Sequence, residues 1–360
     1  MKIIHIVGAR PNFMKIAPVV REMRRRGGFE QRLVHTGQHY DANMSDAFFR
    51  DLELPDPYVH LGVGAGSHAE QTARVMTALE PVLVNERPDW VVVVGDVNST
   101  LAAAMVCAKL PVRLAHVEAG LRSFDRTMPE EINRILTDQV ADLLFTTEES
   151  ANRNLANEGV SAEKIHFVGN VMIDSLVTAL AASQRSAILE QLRIEPRHFV
   201  LVTMHRPSNV DDPQVLAEVL HGLSRIADDR VVIFPVHPRT RARIEVAGAR
   251  ARGIRLLDPL GYLDFLRLSA TAALVLTDSG GVQEETTFLG VPCLTMRATT
   301  ERPVTVECGT NRLIPSTSEA IVAALDQCLS SARGVVQRPP LWDGKAAERI
   351  VDVFCALAFA

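Results

Sequence analysis

The regular alternation of short apolar runs with amphipathic helical segments constrains the fold of this chain more than any other feature. The run VVVV at 91–94 stops at Gly95 and Asp96 and is followed by the helical segment LAAAMVCAKL. A short apolar run closed by a turn signal is typical of a strand that is buried on both faces of a parallel sheet. Because this unit recurs along the chain, the sequence predicts an α/β fold built from doubly wound parallel sheets.

A chain of 360 residues is long enough for two domains of ordinary size. We place the first domain at 1–170, the second at 171–345, and a final helix at 346–360 that packs back on the first domain. Two similar halves imply a central cleft between them. The predicted strands are IIHIVGA, QRLVHTG, VVVVGD, VRLAHVE, ADLLFTT and KIHFVGN, then FVLVTMH, VVIFPVHP, IRLLDPL, AALVLTD and VPCLTM.

Acidic residues follow two consecutive predicted strands of the first half. Asp96 ends VVVVGD, and Glu118 lies near the end of VRLAHVEA. Open α/β sheets bind ligands beyond the carboxyl ends of their strands, so both acids are expected to face one crevice. Two alternatives stay open: Asp96 could cap the next helix, and Glu118 could form a surface ion pair. His116 lies inside its strand and is predicted to have a supporting role.

The helix predicted after Met128 begins at Pro129, a favoured first-turn residue. Its first turn carries Glu130 and Glu131 near the positive end of the helix dipole. Arg134 follows Glu130 by one turn, so we predict that it orients Glu130 or reaches a phosphate. Glu131 lies about 100° round the helix from Glu130 and is predicted to serve structure.

The segment TDSGGVQEE in the second half has the composition of a phosphate-binding turn. Small residues at Ser279, Gly280 and Gly281 let backbone N–H groups approach a phosphate, whose charge a helix N-terminus favours. Glu285 lies about one turn into that helix, where its carboxylate can accept hydrogen bonds from ribose hydroxyl groups. A plain structural turn would explain the glycines without the acidic pair that follows them.

Basic and imidazole side chains also lie near predicted strand ends. Arg10 and Lys15 follow the first strand, where a cation could neutralise a pyrophosphate, although each could be a solvated surface residue. His205 follows FVLVTM at a strand end, a position that favours a functional histidine. Arg302 lies in the charged loop MRATTERP, for which we favour ligand binding over a surface ion pair.

Several classes of protein fit this sequence poorly. GxGxxG does not follow the first strand and GxxxxGK[ST] is absent, which disfavours dinucleotide oxidoreductases and P-loop NTPases. A net charge of -5 and 5% aromatic residues offer neither a basic surface nor a stacking platform for nucleic acid. The five cysteines show no paired zinc spacing, so no metal site is predicted.

No apolar run approaches the roughly 20 residues of a membrane span. The first strand is interrupted by Arg10 and Pro11 before the length of a signal peptide is reached. We therefore expect a cytoplasmic protein with no membrane partner. The residues alone lead to an enzyme that acts on a phosphorylated or nucleotide-linked substrate by acid–base chemistry.

Nine motifs occur along the chain in this order: GARPNFMKIAPV, TGQHYD, GDVNSTLAAA, HVEAGLRSFDRTMPEEINR, GNVMID, TMHRPSNVDD, PVHP, LTDSGGVQEE and TTERP. Together they resemble the non-hydrolysing UDP-N-acetylglucosamine 2-epimerases. The resemblance covers nearly the whole chain, and the combination is highly specific although no single motif is.

The resemblance implies two Rossmann-like domains in the GT-B arrangement, with a UDP-N-acetylhexosamine bound in the cleft, and a homodimer. It implies reversible epimerisation at C2 of UDP-N-acetylglucosamine to UDP-N-acetylmannosamine, without a metal or redox cofactor. The family mechanism removes the C2 proton and expels UDP anti, which leaves an enzyme-held 2-acetamidoglucal. UDP then adds back while a proton reaches the other face of the sugar.

The resemblance also assigns roles to residues, motif by motif. It implies four catalytic residues, Asp96, Glu118, Glu130 and His205. It implies contacts to the UDP-sugar from Arg10, Ser279, Gly280, Gly281 and Glu285, with Phe265 near the uracil and with Lys15, Arg134 and Arg302 as additional ligands. Which carboxylate takes the C2 proton stays open.

One departure from the family concerns regulation. Pro207 and Ser208 stand where many bacterial members carry Arg followed by Glu, in a region tied to activation by substrate, so such activation is not implied here. Relatives act on UDP-sugars with an extra 3-acetamido group or a C6 carboxylate, which leaves the exact sugar open. A hydrolysing epimerase that releases UDP and N-acetylmannosamine, a GT-B glycosyltransferase and a UDP-sugar sensor without turnover are the alternative functions.

Overall fold

The computed structural model describes residues 1–38, 52, 54–246, 252–330 and 337–358, without the side chains of Arg10, Arg239 and Val246. The sequence also predicts a helix that follows Asp41 and carries Phe48 and Phe49, and these residues lie outside the described part of the chain. The chain divides into two compact units, which are called the first unit (Met1–Ser175 with Pro340–Ala360) and the second unit (Leu176–Pro339).

The boundaries of the units lie a few residues from those predicted at 170 and 345. Two contacts explain why the segments on either side belong to the first unit. Ser175 donates its hydroxyl to the backbone oxygen of Met14. Asp174 accepts hydrogen bonds from the backbone N–H groups of Ala346 and Ala347.

The first unit contains a seven-stranded sheet. Its strands are β1 (Lys2–Val7), β2 (Glu30–His35), β3 (Val59–His60), β4 (Trp90–Val94), β5 (Arg113–Ala119), β6 (Leu143–Thr146) and β7 (Ile165–Phe167). Neighbouring strands pair in parallel in the order β3-β2-β1-β4-β5-β6-β7. The order reverses between β1 and β4, and such a switch point is where open α/β sheets bind ligands.

The second unit contains a six-stranded sheet. Its strands are β8 (Phe199–Thr203), β9 (Val231–Pro235), β10 (Ile254–Leu257), β11 (Leu274–Thr277), β12 (Cys293–Met296) and β13 (Asn311–Ile314). They pair in parallel in the order β10-β9-β8-β11-β12-β13. The switch point of this sheet lies between β8 and β11. The predicted fold class, with two doubly wound parallel sheets, is confirmed.

Helices connect the strands in both units. They are α1 (Arg10–Arg26), α2 (His68–Glu86), α3 (Asn98–Cys107), α4 (Pro129–Val140), α5 (Glu149–Asn157), α6 (Val171–Ser183), α7 (Ile188–Leu192), α8 (Pro207–Val210), α9 (Pro213–Ala227), α10 (Pro238–Val246), α11 (Tyr262–Thr271), α12 (Gly280–Leu289), α13 (Val304–Glu307), α14 (Ser318–Ser330) and α15 (Ala346–Ala358). A 3₁₀ helix spans Ala162–Lys164. Of these helices, none combines the length and the hydropathy that a bilayer crossing requires.

Apolar residues on both faces of the first sheet form the core that fixes its strand ends. On one face α1 and α15 pack side by side over β1, β4 and β6. The ring of Phe354 in α15 lies 5.6 Å from that of Trp90 and 5.8 Å from that of Phe145. The last helix is therefore part of the core beneath the strands that end at the switch point, and its burial holds them in place.

Candidate active site

Asp96 lies directly after β4, at the switch point of the first unit. Arg134 donates from Nη1 to Oδ2 of Asp96 at 2.5 Å, and Asn133 donates its side-chain amide to the backbone oxygen of Asp96 at 2.8 Å. The Asp96 side chain keeps 23% exposure, whereas that of Arg134 keeps 3%. The N-cap position of α3 is occupied by Val97, so the alternative in which Asp96 caps that helix is wrong.

Glu118 occupies an irregular position in β5. The β5–β6 register shifts between Val117 and Ala119, and Glu118 has a φ of 73°. A left-handed conformation at a non-glycine residue costs roughly 1 kcal/mol and is concentrated at functional sites. Lys15 donates from Nζ to Oε1 of Glu118 at 2.7 Å, and both side chains are buried. The surface ion pair considered for Glu118 is therefore wrong, because its partner lies in the interior.

Gly95 brings these two ion pairs together. Its φ is 67°, and a Cβ added there would lie 2.9 Å from Nζ of Lys15, so the close approach of lysine and backbone requires glycine. His116, fully buried, donates from Nε2 to the backbone oxygen of Gly95 at 2.8 Å. The structure thus collects Asp96, Glu118 and Lys15 at one strand end, with His116 as a buried support.

Asp138 anchors this support from α4. Its carboxylate lies 2.6 Å from Nδ1 of His116 and 2.7 Å from Nη2 of Arg122, and it accepts the backbone N–H of Gly120 at 3.0 Å. Burial disfavours the charged form, but His116 and Arg122 outweigh it and hold the pKa of Asp138 below its usual value. This acid ties the turn after β5 to α4 and was not singled out by the sequence.

Arg134 does not have the partner predicted for it. It lies on the buried face of α4 and donates from Nε and Nη2 to Oε2 of Glu131 at 3.0 and 2.6 Å, in addition to its bond with Asp96. The prediction that Arg134 orients Glu130 is wrong, because Glu131 and Arg134 face inwards together while Glu130 is exposed on the first turn. The carboxylates that Arg134 binds are therefore those of Asp96 and Glu131.

Of the other residues predicted for this site, Glu130 stands apart from the cluster. Among the described side chains, no hydrogen bond or ion pair links Glu130 to Asp96 or Glu118. Arg10 is the first residue of α1, and its side chain is outside the described part. Lys15, predicted to bind a pyrophosphate, instead binds Glu118. Its first function in the folded chain is to hold that carboxylate.

His205 follows β8 at the switch point of the second unit. Its side chain is 59% exposed, and Nδ1 lies 3.2 Å from Oδ1 of the fully buried Asp278. A carboxylate on one imidazole nitrogen fixes the tautomer and leaves the other nitrogen, Nε2, for proton transfer. His205 is thus oriented from behind by an acid on the neighbouring strand.

Asp278 is the functional residue that the sequence left without a role. Its carboxylate also accepts the backbone N–H groups of His205 and Arg206 at 3.0–3.1 Å and the side-chain amide of Asn209 at 3.1 Å. Burial opposes its charge, but the bonds from His205, Arg206 and Asn209 prevail and lower the pKa of Asp278. The signal that could have found it is its place at the end of β11, once β11 is known to pair with β8.

The glycine turn at Ser279 leads directly into α12. Ser279 is the N-cap residue and makes no side-chain cap hydrogen bond. A Cβ at Gly280 would lie 2.7 Å from Nη1 of Arg302 and 2.8 Å from Oε1 of Glu301, so only glycine fits there. Together with Gly281, these residues form a helix N-terminus whose backbone N–H groups favour an anion.

Arg302 supports this turn from the side. It donates to Glu284 at 2.6 Å and to Glu301 at 2.5 Å, and Arg297 donates to the other oxygen of Glu301 at 2.7 Å. All four side chains are nearly buried. The loop MRATTERP was predicted to bind ligand, but the structure places Arg302 in an ion-pair chain behind the first turn of α12.

Two further predicted contacts of the nucleotide lie in the second unit. Glu285 is buried in α12 and accepts a hydrogen bond from the Tyr262 hydroxyl at 3.2 Å. Phe265 is half-buried on α11 and packs against the apolar cluster beneath the sheet. Tyr262 and Phe265 lie within one turn of the same helix, so α11 presents aromatic side chains beside the helix that carries Glu285.

Known proteins are similar to this chain in sequence and structure over nearly its whole length. Residues 21–355 match the profile of a family described as UDP-N-acetylglucosamine 2-epimerase. The chain is 42% identical to the UDP-N-acetylglucosamine 2-epimerase of Methanocaldococcus jannaschii over 98% of both chains. It is 46% identical to the UDP-2,3-diacetamido-2,3-dideoxy-D-glucuronate 2-epimerase of Pseudomonas aeruginosa over 99% of this chain and 100% of that one. The crystal structure of the Methanocaldococcus jannaschii enzyme in complex with UDP-GlcNAc and UDP matches with a TM-score of 0.91, 41% identity and coverage of 99% and 100%.

Proposed function

The chain belongs to the UDP-N-acetylglucosamine 2-epimerase family, and on this premise we propose that it interconverts UDP-N-acetylglucosamine and UDP-N-acetylmannosamine. The observation that carries the proposal is the cluster of Asp96 and Glu118 at a strand end, each held by a buried cation. Epimerisation at C2 needs a proton removed from one face of the sugar and another delivered to the opposite face. Two fixed carboxyl groups provide these two positions.

The proposed reaction proceeds by elimination and re-addition. A carboxylate takes the proton from C2, the C2–H electron pair becomes the second bond between C1 and C2, and the C1–O bond breaks with its electrons on UDP. The product of this step is a 2-acetamidoglucal held by the enzyme. A proton then reaches C2 on the other face, and a UDP oxygen forms the new bond to C1, so no electrons are gained or lost overall.

In this scheme Lys15 and Arg134 set the geometry of the acids. Each cation fixes the carboxylate it binds, which keeps the distance between that carboxylate and C2 constant through the reaction. The positively charged groups also favour the departing diphosphate electrostatically. Glu130, exposed on the first turn of α4, is the third acid that the proposal places at the sugar.

We propose that the second unit binds UDP. The first turn of α12, with Ser279, Gly280 and Gly281, offers backbone N–H groups to the diphosphate. Glu285 accepts hydrogen bonds from the ribose hydroxyl groups, and Phe265 packs near the uracil. His205, oriented by Asp278, acts on the leaving diphosphate oxygen. The homodimer implied by the family resemblance and the cytoplasmic location expected from the sequence stay predictions.

A second substrate is favoured by one specific comparison. The relative that acts on a UDP-2,3-diacetamido-2,3-dideoxy-D-glucuronate is 46% identical to this chain, against 42% for the Methanocaldococcus jannaschii enzyme. Both substrates carry an acetamido group on C2, the carbon that is epimerised, and they differ at C3 and C6. The acid–base chemistry proposed above applies to both.

The test is incubation of the protein with each UDP-sugar in D₂O. The expected result is incorporation of deuterium at C2 together with formation of the manno epimer. The UDP-sugar with the larger kcat/KM is then assigned as the substrate. Absence of both deuterium and the manno epimer with each of the two sugars would overturn the epimerase. Release of UDP in stoichiometric amounts would indicate a hydrolysing epimerase instead, turnover that needs an added acceptor would indicate a glycosyltransferase, and tight UDP binding without exchange would indicate a sensor.

A further inference from the structure

Phe124 has an exposure and a backbone conformation that folding does not explain. Its side chain is 77% exposed, the largest value for a large apolar residue in the described part of the chain. Its φ is 59°, in the left-handed region. A non-glycine residue in that region costs on the order of 1 kcal/mol, and such strain persists where the surroundings impose it. Both features act against a purely structural role.

The loop that carries Phe124 is held firmly. The backbone N–H of Phe124 donates to Oε1 of Glu131 at 2.8 Å, and that of Ser123 donates to Oε2 at 2.9 Å. On the other side, Asp125 accepts the backbone N–H of Thr127 at 3.0 Å. The backbone is therefore fixed both before and after Phe124, and this fixed backbone holds the ring in its exposed position.

The same group that fixes this loop also fixes a proposed catalytic acid. Glu131 binds Arg134, and Arg134 binds Asp96. The hydroxyl of Ser123 lies 3.4 Å from Nη2 of Arg134. Glu131 and Arg134 thus link the backbone of Phe124 to the carboxylate of Asp96.

We propose that Phe124 contacts the sugar half of the substrate and packs its ring against the methyl group of the 2-acetamido substituent. This inference rests on the proposed function and names the residue that recognises the acetamido sugar. The methyl group is the apolar part of a substrate that is otherwise polar, and an aromatic face is the surface that it prefers. Burial of the ring by substrate removes apolar surface from water and so strengthens binding.

The test separates the sugar from the nucleotide. KM for UDP-N-acetylglucosamine, from C2 deuterium exchange, and the inhibition constant of UDP are measured for the wild type and for Phe124→Ala, Phe124→Gly and Phe124→Leu. We expect KM to rise about 10-fold for Phe124→Ala and Phe124→Gly, and by less for Phe124→Leu, as expected from the apolar area lost. The inhibition constant of UDP stays unchanged, and the melting temperature of Phe124→Gly does not fall because glycine relieves the strain.

Leu136→Ala is the matched control. Leu136 is also a large apolar residue on the surface of the first unit, on the exposed side of α4, and its removal should change neither constant. Equal losses for UDP and the UDP-sugar in Phe124→Ala, or a fall in melting temperature with KM unchanged, would overturn the proposal. So would a change of oligomeric state with KM unchanged, which would assign Phe124 to a protein contact. An inactive wild type would instead sink the epimerase assignment itself.

Discussion

The switch points of the two sheets use opposite charges for the same purpose. In the first unit, buried Lys15 and Arg134 hold the carboxylates of Glu118 and Asp96. In the second unit, the buried carboxylate of Asp278 holds the imidazole of His205. In both cases a buried charge fixes a group that is proposed to transfer a proton. The comparison teaches that residue type does not tell a reactive group from a positioning group, whereas burial and partner do.

The largest effect should follow from removal of the acids themselves. Asp96→Asn and Glu118→Gln keep the shape of each side chain but remove its capacity to take a proton, and we expect C2 deuterium exchange to fall by about 10³-fold or more. The inhibition constant of UDP should stay within a factor of two. Glu163→Gln, at an exposed acid of the same unit, is the control without effect. If UDP binding and the fold were lost together, these acids would be structural.

Arg134→Met removes the buried cation that binds the carboxylates of Asp96 and Glu131. We expect it to lower the free energy of unfolding by about 3–5 kcal/mol, the usual cost of an uncompensated buried charge, as measured by urea denaturation. Arg25→Met provides the comparison, because Arg25 pairs with Glu22 at the surface, where water weakens the pair, and it should change the free energy of unfolding far less.

The double variant Asp96→Asn with Arg134→Met sharpens this test. The Asp96 carboxylate accepts a hydrogen bond from Arg134, so once Arg134 is gone, neutralising Asp96 removes one of the two charges left without a cation, and the double variant should be more stable than Arg134→Met alone. Equal or lower stability would mean that the loss comes from packing of the long side chain and not from charge.

In the second unit, Asp278→Asn is expected to reduce kcat about 100-fold and to leave KM within a factor of two. In the wild type, N–H donors face both oxygens of the Asp278 carboxylate. Asparagine would turn an N–H group towards some of these donors, so His205 loses its orientation while the UDP contacts on α12 persist. Asp211→Asn, at an acid paired with Arg243 near the surface, is the matched control.

A double-mutant comparison tells whether Asp278 acts through His205. If it does, Asp278→Asn combined with His205→Asn should be no slower than His205→Asn alone, because the second change has nothing left to misplace. Additive losses would show that Asp278 serves the fold independently of the histidine.

Local sequence patterns predicted the strands that end at the switch points, and with them the positions of Asp96, Glu118 and His205. They did not predict β3 and β13, since two to four residues at the edge of a sheet give little periodic signal. They also missed the partners of the charged groups. Lys15 and Glu118 are 103 positions apart, and pairing at that distance follows from strand order, which no local pattern contains.

The carboxylate that Arg134 binds on its own helix was the second property beyond reach. The sequence predicted a structural role for Glu131, but only packing against the loop at Ser123 turns Glu131 inwards to Arg134. The predicted pair of Arg134 with Glu130 was wrong for this reason, whereas a contact of Arg134 with a phosphate stays a prediction. Tertiary contacts, and not helix periodicity alone, selected its carboxylate.

A buried acid whose hydrogen bonds come from backbone N–H groups should behave in the opposite way when burial is the largest influence on it, and Asp174 tests this. It accepts the backbone N–H groups of Ala346 and Ala347, but burial outweighs these bonds and raises the pKa of Asp174 to about 6. Between about pH 4 and 6 the folded chain therefore binds a proton that the unfolded chain has released, so stability falls as pH rises through that window.

Asp174→Asn removes this titration. Carboxyl groups with a lowered pKa, such as that of Asp278, lose their stabilising effect as pH falls. They are present in both proteins, so their effect cancels when the two free energies of unfolding are subtracted. The free energy of unfolding of Asp174→Asn relative to wild type should rise by on the order of 2 kcal/mol between pH 4.5 and pH 7, as measured by urea denaturation at each pH. A difference that does not change with pH would mean that the amides at the start of α15 compensate for burial, and the contrast of Asp174 with the buried acids of lowered pKa would then fail.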